Sequence, residues 1–239
     1  MQPAAVLAIP HVWRVTDLAR EEAVLPSGHA ALDAQLPGGG WPLGCLVELL
    51  QERPEAHAWQ LLLPVLAARV ADRQGPVVLV GPPFHPFGPA LAAQGLPADR
   101  LLWIRAEPAA ARLWSAEQSL RCTDVQAVLA WLPQVRTPEL RRLHLAARQH
   151  GKLLFVLRGV QARLHASPAP LRLLLQGSQE MEVHIVKRRG PPLDEPLHLP
   201  AVPARLQALL ASRRRTPVEV PATPEPRRSH VLDRLVSLP

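Results

Sequence analysis

The sequence predicts an α/β protein with a mainly parallel central sheet flanked by helices, and two observations carry that prediction. Short β-like runs recur through the middle of the chain, with helical patterns between them. Two of these runs, 77–80 and 153–157, are continuously apolar, as strands covered on both faces should be.

In chain order the strand candidates are "CLVELL" (45–50), "PVVLVG" (76–81), "RLLWIRA" (100–106), "VQAVLAWL" (125–132), "KLLFVL" (152–157) and "EMEVHIVKR" (180–188). The glycine-rich "PGGGWPLG" (37–44) precedes the first of them and reads as a turn. The segment 59–72 places Trp59, Leu62, Leu63, Leu66 and Val70 on one helical face. Pro64 inside it should kink the helix or mark its true start. A second helix is expected over 137–150, with Thr137 as N-cap, Pro138 in the first turn and Gly151 just past the end.

After residue 190 the character changes. Four regions are expected: an N-terminal segment (1–24) with a candidate docking helix, the α/β domain (25–190), a proline-rich extension with a short helix (191–211), and a disordered basic tail (212–239).

The formal net charge is +7, almost all of it from arginine, since Lys152 and Lys187 are the only lysines. Such a charge favours an acidic partner, either nucleic acid or protein. No apolar run reaches the roughly 18–20 residues that cross a bilayer, and the N-terminus lacks the basic start of a secretory signal. The expectation is a soluble cytoplasmic protein without a membrane partner. Cys45 and Cys122 form neither a metal-ligand cluster nor a disulfide framework. His85, His144, His150, His165 and His184 are scattered singly, without metal-site spacing. No cofactor and no metal are expected.

The stretch "VELLQERPEAHAWQLLLPVL" (47–66) reads as strand, loop and helix, the setting of an ATPase phosphate loop. Such a loop needs glycines to wrap phosphates with backbone N–H groups, a lysine for the β/γ-phosphates, and a hydroxyl for magnesium. Residues 51–58 supply none of these.

The run "LPSGHAALDAQLPGGGWPLGCLVELL" (25–50) resembles the segment that leads into the phosphate loop of RecA recombinases. The match lies in Ser27-Gly28, Leu32-Asp33, Gly38-Gly39-Gly40, Pro42, Gly44 and Val47-Glu48. That resemblance places Gln51 and Ala56 at the two glycine positions, His57 at the lysine and Ala58 at the magnesium-binding hydroxyl. The segment 81–120 resembles the part of RecA that carries the catalytic glutamate, and Pro83 stands in its place. The metal-binding aspartate would fall near Ala130 or Trp131. The resemblance thus implies a RecA-like core with a degenerate ATP site, and no enzyme.

A core of this kind followed by a basic, proline-rich tail resembles the ImuA family, accessory proteins of SOS-induced translesion DNA synthesis that are distantly similar to the cell-division inhibitor SulA. That resemblance implies a non-catalytic assembly role. Its implied partners are ImuB (an inactive Y-family polymerase homologue), an error-prone replicative-type DNA polymerase, and RecA. A SulA-like division inhibitor and an atypical nucleotide hydrolase are the competing readings.

His57 itself is read as a solvent-facing loop residue, and Glu48 as a hydrogen-bonded carboxylate ending its strand. Arg141 and Arg148 share a helical face apart from Leu140 and Leu143, so they are read as solvated. Candidate partner or nucleic-acid contacts are Arg158, Arg163 and Arg172, in a segment that by resemblance corresponds to the second DNA-binding loop of RecA. Lys187, Arg188 and Arg189 at the end of the last strand join them. Trp13 in the N-terminal segment and Arg227, Arg228, Leu232 and Leu235 in the tail complete the set.

Overall fold

A computed structural model describes residues 23–53, 57–177 and 180–200. Trp13, Arg227, Arg228, Leu232, Leu235 and Ala56 lie outside the described residues.

The described residues open with a two-stranded ribbon, β1 (Val24–Leu25) paired antiparallel with β2 (Trp41–Pro42) across the short helix α1 (Ala30–Asp33). The central sheet holds β3 (Leu46–Gln51), β4 (Val77–Val80), β5 (Leu101–Ile104), β6 (Ala127–Trp131), β7 (Leu153–Gly159), β8 (Leu171–Gln176), β9 (Met181–Lys187) and β10 (Leu197–Leu199). Its spatial order is β10-β9-β8-β3-β7-β6-β4-β5. The six strands from β8 to β5 run parallel, and β9 and β10 add antiparallel at one side. The expected α/β architecture, with a mainly parallel central sheet flanked by helices, is therefore what the chain adopts. Every expected strand forms.

Because side chains alternate across a strand, the sheet has two faces with different covers. Val47, Leu49, Leu79, Leu129 and Phe155 pack beneath α2 (Ala58–Asp72), with Trp41 set edge-on to Phe155 at 5.3 Å between ring centroids. Leu46, Val78, Val128, Leu154 and Val156 pack beneath α4 (Ala109–Arg121) and α5 (Thr137–His150). A short helix α3 (Gly88–Ala92) lies between β4 and β5.

The helix α2 passes through Pro64 and starts at Ala58, so the proline does not mark its beginning. Pro64 has no N–H to donate to the carbonyl four residues back, that of Gln60. The His29 ring Nε2 takes that role, 3.3 Å from the Gln60 oxygen. Gly28 sits against the same proline with φ +83, where a Cβ would stand 2.3 Å from the Pro64 Cβ. The Ser27-Gly28 pair thus has a packing reason: it lets the chain pass close over the helix at its proline.

At α5 the cap is Arg136, one residue before the expected Thr137. Arg136 donates its N–H to the Glu139 carboxylate at 2.8 Å, while the Thr137 hydroxyl donates to the Ala166 carbonyl at 3.0 Å. Gly151 ends the helix in the left-handed region at φ 58, as expected.

The largest departure is β8. Residues 158–177 were expected to form a loop, yet Leu171–Gln176 is a buried strand between β3 and β9. Its "LRLLLQ" is apolar enough for an inner strand once Arg172 is neutralised, which the neighbouring strand achieves. The sheet also continues to Leu199, past the boundary expected at 190, because β10 pairs with β9.

Candidate functional site

The carboxyl end of β3 feeds through residues 52–57 into α2, the place where a phosphate loop would sit. His57 precedes the helix with φ 55, and it is the one residue other than glycine in the left-handed region among the described residues. Its side chain is 6 % exposed, not solvent-facing as the sequence suggested. The ring Nε2 lies 2.8 Å from the Gly177 carbonyl oxygen in the β8–β9 turn. A carbonyl can only accept, so Nε2 carries the proton and Nδ1 is left buried without a partner. The imidazole therefore spans from the loop to the next strand connection instead of opening toward a ligand. Nearby, Gln176 donates to the Glu52 carboxylate at 2.5 Å, a second tie between the two segments.

The other positions implied by the RecA resemblance are equally lacking in ligand groups. Gln51 is buried and Ala58 is packed into the core. Pro83 is exposed just past β4, and Ala130 and Trp131 are buried apolar residues of β6. Among the described residues no group of three His, Cys, Asp or Glu side chains is placed to hold a metal ion.

Glu48 does not end its strand. It sits in the middle of β3 at 0 % exposure, opposite Val156 of β7 and Arg172 of β8. Its two oxygens are divided between two guanidinium groups. Arg158 Nη1 donates to Oε1 at 2.6 Å and Arg172 Nε to Oε2 at 2.5 Å. Arg172 also donates to the carbonyls of Ala162 (2.6 Å) and His165 (3.3 Å), and Arg158 to that of Val135 (3.3 Å). Two of the arginines put forward as partner contacts are thus structural: burying a cation demands a counter-charge and hydrogen bonds, and β3 provides the former.

The remaining candidates divide. Arg163 is exposed beside Leu164 in the 3-10 turn Val160–Leu164 that follows β7. Lys187 is exposed and donates to the Ser167 carbonyl at 3.1 Å. Arg188 is turned back onto the fold, where Nη1 donates to the Gln35 carbonyl at 2.6 Å and Nε to that of Pro191 at 2.8 Å. Arg189 is exposed. Arg163, Arg172 and Lys187 are therefore not one cationic patch, because Arg172 is sealed under the turn that carries Arg163.

Two depressions lie where β6 and β7 end, and sequence reasoning had not singled them out. One, of about 550 Å³, is lined by residues 133–138 with Arg158, His165 and Ala166. The other, of about 780 Å³, runs between α4 and α5 and is walled by Trp114, which is 64 % exposed. Neither is lined by Gln51, His57, Ala58 or Pro83. Arg136 borders both but is ion-paired to Glu139 at 2.6 Å, and Arg142 in the second is paired to Glu117 at 2.5 Å.

These features define an α/β protein in which His57 and Glu52, between β3 and α2, are tied to the connection after β8. The particular relative then follows from comparison. The chain is similar to Protein ImuA of Caulobacter vibrioides, at 32% identity over 141 residues covering 56% of this chain and 57% of that protein, in strains NA1000 and CB15 alike. It is also similar to the cell division inhibitor SulA of Edwardsiella piscicida, at 26% identity over 110 residues, 46% of this chain and 66% of that protein. The chain thus spans little more than half the length of the curated ImuA proteins it matches. No protein-family model matches it. The resemblance to ImuA and SulA drawn from individual residues is present in the alignments as a whole.

Proposed function

We propose that the protein is a non-catalytic accessory factor of SOS-induced translesion DNA synthesis, acting through protein contacts with ImuB, an error-prone polymerase and RecA. The observation that carries this reading is His57 in the place of the phosphate-loop lysine, buried and bonded to Gly177. A site filled in this way offers phosphates neither glycine N–H groups nor an ammonium, so the ATPase would be lost and the scaffold retained. Similarity to ImuA supplies the setting in DNA damage.

The test is a pull-down of full-length protein against ImuB and RecA, with a 1–211 truncation beside it. Retention of either partner by the full chain supports an assembly role, and loss on truncation assigns the contact to the tail. Retention of neither removes the proposal. Calorimetry with magnesium and ATP is the companion measurement. No heat of binding is expected, and a saturable signal would restore the nucleotide hydrolase as the better reading.

Similarity to SulA supports a second reading as a division inhibitor. Overexpression separates the two: filamentous cells favour inhibition, whereas deletion that abolishes damage-induced mutagenesis without loss of viability favours the translesion role.

A further inference from the structure

The face formed by α4 and α5 combines an apolar groove with an excess of positive charge. Both helices start at the carboxyl end of the sheet and run side by side, joined by the Arg142–Glu117 pair at 2.5 Å. The groove between them, of about 780 Å³, has an apolar floor of Leu113, Leu132, Pro133 and Val135. Trp114 stands at its wall, 64 % exposed. Leu145 is 61 % exposed on the outer side of α5. With Glu117 and Arg142 level, Trp114 lies three residues back along one helix and Leu145 three residues on along the other. The two apolar side chains are thus about 9 Å apart along the helix axes.

The surrounding charge is mostly of one sign. With the capping Arg136, α4 and α5 hold six arginines and two glutamates. Both glutamates are occupied, Glu117 by Arg121 and Arg142 and Glu139 by Arg136. Glu107 is the one unpaired carboxylate in the lining among the described residues. Arg112 also lines the groove and makes no ion pair among the described residues. Its Nε donates to the Ala106 carbonyl at 2.6 Å, and its stem packs against Gly81, where a Cβ would stand 2.8 Å from Nε. The stem is fixed in this way, and the terminal nitrogens are left for another acceptor. A nucleic-acid strand is poorly served here, since one exposed ring is not a series of stacking platforms and Glu117 sits between Arg121 and Arg142. A second copy would bring the same excess of cations. A protein segment that carries both carboxylates and a bulky apolar side chain matches the groove, and Trp and Arg are the side chains in which binding energy concentrates.

We propose that the α4–α5 groove docks an acidic segment of a partner protein, with one apolar side chain seated against Trp114 and a carboxylate on Arg112. The inference rests on the assembly role proposed above and adds the surface through which it acts. The test is a pull-down of nuclease-treated ImuB and RecA by the full-length protein. Trp114→Ser and Arg112→Gln should each lower retention of a partner at least about tenfold, while Phe87→Ser should leave it unchanged. Retention by the parent should weaken as salt rises. Circular dichroism and the urea midpoint check that each variant keeps the fold, and Trp114→Ser decides the outcome because its side chain is largely exposed. Equal retention by Trp114→Ser and the parent overturns the docking surface and leaves the assembly role standing. Retention of neither partner by the parent removes the assembly role and this inference with it. Retention that disappears on nuclease treatment overturns the proposal as well, since the occupant is then nucleic acid. A parent dimer that Trp114→Ser returns to monomer gives the groove to a second copy, with the same consequence.

Discussion

An inner and an outer region of the parallel array have been treated in opposite ways. Where β3 meets α2, the position of an ATPase loop, His57 bonds to Gly177 and Gln176 bonds to Glu52. Beneath them Glu48 binds two arginines. Around β5, aromatic and aliphatic side chains stand in the open. The first region spends its polar groups on the fold itself, and the second leaves apolar surface unspent. The difference is one of direction: polar groups turned inward around β3, apolar side chains turned outward around β5.

The comparison is most easily broken at Glu48. Replacing it with Gln leaves two buried guanidinium groups without a counter-charge, and a loss of about 3–5 kcal/mol is expected in urea unfolding. A loss under about 1 kcal/mol would mean that the cations reach water and that the region is not closed. Next in size, Arg172→Met should cost more than Arg158→Met. Arg172 gives up carbonyl bonds at Ala162 and His165 besides Glu48, whereas the Arg158 Nε already lacks a partner. Either variant leaves a neutral pair, so each should fall well short of Glu48→Gln.

At His57 two effects oppose each other. Ala removes the bond to Gly177 yet keeps the left-handed strain, and should cost about 1–2 kcal/mol. Gly removes both and should be the milder change by about 1 kcal/mol. Equal losses would show that φ 55 carries no strain. In the open region, Phe87→Ser should lie within about 0.5 kcal/mol of the parent, and a larger loss would show that the phenyl ring is covered in solution.

The smallest effect is a pH dependence from His29, whose pKa burial pushes below its ordinary 6.5 despite opposing contacts from Gln60 and Asp33. With the folded pKa below the unfolded one, the unfolded chain binds more protons just below pH 6.5. Stability should therefore fall as pH drops through that window, and His29→Gln should flatten the slope.

Apart from β8, the strands of the parallel sheet were legible because continuous apolar runs and the helices between them leave few alternatives. The function of the arginines was not. "RGVQARLHASPAPLRLLLQG" carries prolines and charge, the usual marks of a loop, and "LRLLLQ" becomes an inner strand only because Glu48 waits on the neighbouring strand more than a hundred residues earlier in the sequence. No local pattern reports a partner at that distance. His57 was misjudged for a similar reason: a polar residue between two secondary elements reads as exposed, and its acceptor at Gly177 is 120 residues away. The one usable signal was Glu48 itself, a carboxylate inside "LVELL", which announces that some cation must come to it. The apolar loop "GPPFHPFG" was equally visible, and its exposure could not be judged before the sheet order placed β5 at the end.

The central place of β3 has a consequence for how the molecule is made. Its two neighbours are β7 and β8, so a strand finished at Gln51 has no lateral partner until the ribosome has reached Gly159 and then Gln176. At about 5–20 residues per second the nascent chain carries an unpaired, largely apolar strand for several seconds or more. Until then Glu48 has neither arginine. An unpaired carboxylate is costly to bury, which disfavours stacking of the waiting strand on another nascent chain, and in the folded core the same carboxylate is held by its two cations.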